Sequence, residues 1–184
     1  MSRYLLLVIM LTGLKSVQTA RRSFNVEIYK INCDNFRSPM KFFNCAFTKL
    51  DTNRFASDCA LMLERQLLRN AEIGIEVTYV LPKGQNIVKF LQIKLNICDA
   101  LEQLKTVPLL KKLFIELIHN SNIPYTCPIK GNEVYNMTGF IISDEVFPPY
   151  TPILAFNYTV SFYENQKLFA THHTQGATVP RSKI

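Results

Sequence analysis

The chain has 184 residues, with 21 Lys and Arg against 14 Asp and Glu, five cysteines, three histidines and no tryptophan. Its net charge of +7 is mild and spread out, and no basic stripe or recognisable nucleic-acid module is present, so no nucleic-acid partner is expected. The length suits one domain with a real apolar core.

The first residues read as a secretory signal peptide over 1–20. Arg3 supplies positive charge, Tyr4 to Leu14 is apolar, and Ser16 to Ala20 is small and polar with cleavage after Ala20. The run is well short of the ~20 apolar residues that span a bilayer. Leu61–Leu68 and Leu109–Ile118 are interrupted by charge, so no stable membrane insertion is expected. The remaining residues, 21–184, are expected to form a single secreted, extracellular domain with a short C-terminal tail. Arg3 and Lys15 leave with the leader, so 19 basic residues face 14 acidic ones.

From there the dominant period is two, the mark of half-buried strands. Phe24–Asn32 places Phe24, Val26, Ile28 and Lys30 on one face, and Phe42–Leu50 follows, ending in a turn at Asp51-Thr52-Asn53. Phe55–Leu68 sets Cys59, Leu61 and Leu63 against Ala60, Met62 and Glu64. Ile73–Leu81 aligns Ile73, Ile75, Val77, Tyr79 and Leu81. Pro82-Lys83-Gly84-Gln85 reads as a hairpin turn, after which Ile87–Ile97 returns with Leu91, Ile93, Leu95 and Ile97 inward.

The period then changes to three and four. Over Asp99–His119 the residues Leu101, Leu104, Leu110, Leu113, Phe114, Leu117 and Ile118 share a face. Asp99 suits an N-cap and Pro108 a helix start, so two short helices are expected. Strands resume at Glu133–Ile142, and Phe147-Pro148-Pro149-Tyr150-Thr151-Pro152 reads as an edge or a crossing between sheets. Ile153–Tyr163 alternates Phe156, Tyr158, Val160 and Phe162 with Asn157, Thr159, Ser161 and Tyr163. Glu164–Lys167 then turns the chain into Leu168–Val179. The pattern predicts a mainly β protein: a β-sandwich or cup of about eight antiparallel strands, immunoglobulin-like in layout, with a helical insertion near residues 99–119.

Catalysis finds little support. Cys127 has no base nearby in the sequence, and adjacent His172 and His173 project from opposite faces of a strand, so they cannot chelate one metal together. No GxSxG, HExxH, P-loop or dinucleotide fingerprint occurs. The chain is therefore read as a non-enzyme with no cofactor and no metal. Asn136-Met137-Thr138 and Asn157-Tyr158-Thr159 match the glycosylation acceptor pattern, making Asn136 and Asn157 candidate glycan sites on an exported chain.

Exported cysteines are usually bridged, and with five one is left over. Cys33 ends one strand and Cys45 lies in the next, so a hairpin could set them opposite each other. A bridge from Cys98 to Cys127 would pin both ends of the helical insertion, and such loops are worth roughly 3 to 4 kcal/mol each. Cys59, flanked by Leu61 and Leu63, is then a buried free thiol.

The ordered landmarks are Ile31-Asn32-Cys33, Phe43-Asn44-Cys45, Leu95-Asn96-Ile97-Cys98-Asp99, a Leu/Phe-rich helical stretch, Asn120-Ser121-Asn122 and Cys127-Pro128. Over about residues 24 to 179 they resemble a family of small secreted insect proteins, mostly uncharacterised, that includes the chemosensory CheB group. Cys59 lies outside that pattern. The resemblance implies an ML-like fold, the lipid-recognition β-cup of the ganglioside activator proteins, in which two sheets splay around an apolar cavity. Leu61, Leu63, Ile75, Val77, Tyr79, Leu91, Ile93, Phe156, Tyr158, Val160 and Phe162 are the candidate lining. The expected partner is a small hydrophobic ligand, a lipid or a hydrocarbon chemosensory signal. The alternative is a filled core, with the surface acting on a cell-surface receptor or channel.

Overall fold

In a computed structural model of the chain, residues 22–81, 86–103 and 119–181 are described. The proposed leader, the Pro82–Gln85 turn and the greater part of the expected second helix lie outside these residues. Among the described residues, eight strands form two antiparallel sheets. They are β1 (Phe24–Asn35), β2 (Met40–Asp51), β3 (Arg54–Leu63), β4 (Glu72–Val80), β5 (Val88–Asn96), β6 (Val134–Ser143), β7 (Leu154–Glu164) and β8 (Lys167–Pro180). The larger sheet runs β1-β8-β7-β4-β5 and the smaller β2-β3-β6. The architecture is a β-sandwich with five strands on one side and three on the other.

Alternation explains the inward set. Phe24, Val26 and Ile28 of β1 are buried with Phe55, Leu154 and Phe156 in one core cluster. A second cluster collects Met40, Phe43, Leu63, Phe169 and Ala170. The Phe43 and Phe162 rings meet edge to face at 5.8 Å between the two sheets. Two register shifts decide what the second cluster receives. A bulge between Ile28 and Lys30 moves the inward phase of β1 from even to odd residues, so Ile31 and Cys33 turn in. Lys30, expected inward with Ile28, is exposed, because the extra residue at Tyr29 reverses the side on which it emerges. A shift between Phe162 and Tyr163 leaves Phe169 out of the cross-strand pairing, and its ring fills the gap below Phe162 at 6.1 Å.

The turns follow their chemistry. Asn165 and Gln166 both have positive φ, as a two-residue turn of the I′ kind requires. Asn53, also at positive φ, accepts a 2.6 Å hydrogen bond from the Val26 backbone N–H, tying the β2–β3 turn to β1. Gly131 is needed for close approach, since a Cβ there would overlap the backbone of Arg65.

Three further expectations require correction. β3 ends at Leu63 rather than Leu68. Beyond it Arg65 pairs with buried Glu164, whose carboxylate also accepts from the Leu68 backbone N–H at 2.9 Å. The helix after β5, α1 (Ile97–Gln103), begins two residues before Asp99. Asn96 supplies its cap, accepting from the Asp99 N–H at 3.1 Å, so Asp99 sits within the first turn. Ile97, expected as the last inward residue of the strand, opens the helix instead.

Both expected disulfides are present, but not through the expected hairpin, because β1 pairs with β8 and β2 with β3. Cys33–Cys45 joins β1 to β2, and therefore one sheet to the other, while Cys98–Cys127 joins the first turn of α1 to the segment before β6. Cys59 is the free thiol, half-buried rather than fully buried as expected.

Candidate functional site

Register places most of the candidate lining on one surface. Across the larger sheet, Ile93, Ile75, Val160, His172 and Cys33 stand in one row. Leu91, Val77, Tyr158, Thr174 and Ile31 form the next. Leu95, Ile73 and Phe162 form a third row, and Tyr79, Phe156, Gly176 and Ile28 a fourth. Directly opposed residues of antiparallel strands share a face, so this is the inner face of the sandwich.

The smaller sheet covers only part of it. Phe156 and Val160 on β7 are buried, as is Leu63 of the facing sheet, and Leu61 packs against the second core cluster. Along β4 every residue is only half-buried. On β5, Leu91 is 37%, Ile93 36% and Leu95 40% exposed. The row thus runs from a packed core at β7 and β8 to an open apolar shelf at β4 and β5. Leu91 and Ile93 lie on the expected face, but they line a surface rather than an interior. The outer face of the same strands is polar: Lys94 pairs with Glu72 at 2.5 Å and Lys89 with Glu76 at 3.2 Å.

At the covered end lies a group that the sequence did not announce. Cys33, Cys45, Cys59 and His172 bring one sulfur or ring nitrogen each within 4.8 Å of one another. His172 Nδ1 is 3.3 Å from Cys33 Sγ and 3.5 Å from Cys45 Sγ, and its Nε2 meets the Thr174 hydroxyl at 2.8 Å. The Tyr158 ring lies 6.3 Å from that imidazole. His173 faces the opposite side, where it meets Thr159 Oγ1 at 3.0 Å. The two histidines do diverge, but His172 finds partners 139 and 127 residues away, a separation that no local spacing reveals.

Burial sets the electrostatics of this end. It pushes the Tyr158 hydroxyl up to about 12 and the Cys59 thiol up to about 11, the latter partly offset by a hydrogen bond with Ser57. Burial, with a smaller contribution from His173, lowers His172 to about 4. An activated Cys–His pair has the reverse arrangement, a thiolate beside a charged imidazole. At neutral pH both groups here are uncharged. With Cys33 and Cys45 joined, their sulfurs also carry no thiolate charge with which to hold a metal.

The glycan candidates differ in setting. Asn136 is exposed on β6, an edge strand of the smaller sheet. Asn157 is half-buried on β7, inside the larger sheet and opposite Gln175 and Thr78.

Residues 72–158 match the family described as "Protein of unknown function (DUF1091)". The DUF1091 match starts with the first residue of β4 and ends at Tyr158 in β7, so it takes in both strands of the open shelf. No curated protein matches the chain.

Proposed function

We propose that the protein is a secreted, non-enzymatic carrier or presenter of a small hydrophobic ligand, a lipid or a hydrocarbon signal, held against the inner face of an ML-like β-cup. The observation that carries this reading is the shelf on β4 and β5. Leu91, Ile93 and Leu95 lie in register with Tyr158, Val160 and Phe162 of β7, yet they stand more than a third exposed. A hydrocarbon chain laid there would gain about 25 cal/mol for each Å² of apolar area removed from water, before the costs of association. Affinity comes from desolvation, with no covalent step to the ligand, and the uncharged His172 and Tyr158 suit an apolar floor. Among the described residues no helix is long and apolar enough to cross a membrane, and two disulfides favour an oxidising compartment. The likeness to the secreted insect proteins that include the CheB group points the same way.

Protein secreted from insect cells should carry bound hydrocarbon or acyl material, visible by native mass spectrometry and released by solvent extraction. It should also take up fluorescent fatty acids or hydrocarbons. A ligand-free protein with no uptake of either probe overturns the reading. The double variant Leu91→Asp, Ile93→Asp should stay folded while losing uptake, since both positions lie on the open shelf beyond the packed region.

A second reading, an extracellular module acting on a receptor or channel, draws support from the proline crossing, where Tyr150 is 86% and Val146 39% exposed. It predicts that Tyr150→Ala abolishes receptor or channel modulation, while Leu91→Asp, Ile93→Asp leaves it intact.

A further inference from the structure

The sulfur cluster holds more than a half-buried bridge. Cys45 on β2 and Cys59 on β3 are directly opposed in the antiparallel ladder, and their sulfurs are 3.1 Å apart. Opposed residues of such a ladder have Cα atoms about 4.5 to 5.5 Å apart, inside the range that a disulfide spans. Cys45 therefore has two geometrically competent partners, Cys33 across the sheets and Cys59 within its own.

We propose that Cys59 is a reactive partner of the Cys33–Cys45 bridge, and that the protein interconverts two disulfide isomers. The Cys59 sulfur supplies the electron pair of a new bond to Cys45 Sγ. The Cys45–Cys33 bond breaks and Cys33 Sγ departs with its pair. The proton lost by Cys59 ends on Cys33, beside which His172 Nδ1 lies at 3.3 Å. One thiol and one disulfide stand on each side of the exchange, so no oxidant or reductant is consumed.

The two isomers hold the sandwich differently. In the first, β1 of the larger sheet is tied to β2 of the smaller. In the second, the bond lies wholly inside the smaller sheet, and the covalent tie beside the packed end of the apolar face is released. The exchange is slow, because burial leaves little of Cys59 as thiolate. The titratable groups around it are Asp58 on its own strand, His172 from β8 and, beyond that imidazole, Tyr158 from β7.

Thiol mapping on the full secreted chain tests this. Freshly prepared protein, acid-quenched, denatured and alkylated at mildly acidic pH with N-ethylmaleimide, should be labelled at Cys59. Holding the folded protein at about pH 8.5 without reductant should raise labelling of Cys33 at least about tenfold. A Cys45–Cys59 linked peptide should appear, with Cys98 and Cys127 unlabelled. Label that stays on Cys59, or that spreads to Cys98 and Cys127 through unfolded chains, overturns the proposal. A folded Cys33→Ser variant should show a Cys45–Cys59 bridge and no free thiol, and free Cys45 and Cys59 there overturn it as well. If that variant fails to fold, the measurement on the natural chain decides alone.

Discussion

His172 should make this protein acid-sensitive in a defined window. Its imidazole is enclosed by the Cys33 and Cys45 sulfurs, the Thr174 hydroxyl and the Tyr158 ring. Burial and the nearby His173 lower it from 6.5 to about 4. Because the folded value lies below the unfolded one, the unfolded chain binds the proton first as pH falls. Stability is therefore lost progressively between about pH 6.5 and about pH 4. At roughly 1.4 kcal/mol per tenfold change in proton affinity, that gap amounts to about 3 kcal/mol, a large share of a typical domain's stability. Urea unfolding of the natural chain and of His172→Gln, followed by circular dichroism across this range, isolates the effect. Both proteins should share the losses due to carboxylates, while the natural chain alone loses the further ~3 kcal/mol. An NMR titration of the His172 ring should have its midpoint near pH 4. Parallel stability curves for the two proteins, or a ring that titrates near 6.5, would refute the reasoning.

Three further outcomes can be checked by the same unfolding assay. Gly131→Ala should destabilise by about 1 to 3 kcal/mol, because the new Cβ meets the Arg65 backbone, which cannot swing away as a side chain would; an unchanged urea midpoint would contradict this close approach. Phe169→Ala should cost about 3 to 5 kcal/mol, since the ring is 1% exposed and fills the space beneath Phe162; a loss below ~1 kcal/mol would mean that the neighbouring rings collapse into the gap. Glu164→Gln should cost on the order of 1 kcal/mol at neutral pH, a modest figure because the Arg65 side chain is 46% exposed. Burial raises the Glu164 carboxyl, but the hydrogen bonds from Arg65 and the Leu68 N–H outweigh it and leave the folded value below 4.5. The difference from the natural chain should therefore fade as pH drops below 4.5 through that lowered value, and a penalty that persists there would contradict the pairing.

Most strands were legible because one residue in two is apolar. Phe156, Tyr158, Val160 and Phe162 could be placed on one face without knowing any partner, and β7 is where they were expected. The Cys98–Cys127 bridge was legible because it flanks the helical insertion, whereas Cys33–Cys45 was named for a hairpin and in fact joins strands of different sheets. What escaped depends on neighbours that no local pattern names. The bulge at Tyr29 arises from pairing with β8, so alternation alone carried Lys30 inward. The shelf could not be told from a filled core, because exposure of Leu91 and Ile93 follows from three strands facing five. His172 was set aside together with His173 because the sulfurs that it meets belong to strands at the other end of the chain.

The bulge in β1 has a wider consequence. The strand works in two phases: its first half feeds Phe24, Val26 and Ile28 to one cluster, and its second half delivers Cys33 to another. The bond between the sheets is thus encoded by spacing as much as by sulfur. Deleting Tyr29 alone would shorten the step from Ile28 to Cys33 from five residues to four, so plain alternation would carry Cys33 inward and the strand would no longer need its bulge. For chains of this kind, the count of residues between Ile28 and Cys33 is as informative about the cross-sheet bond as the cysteines themselves.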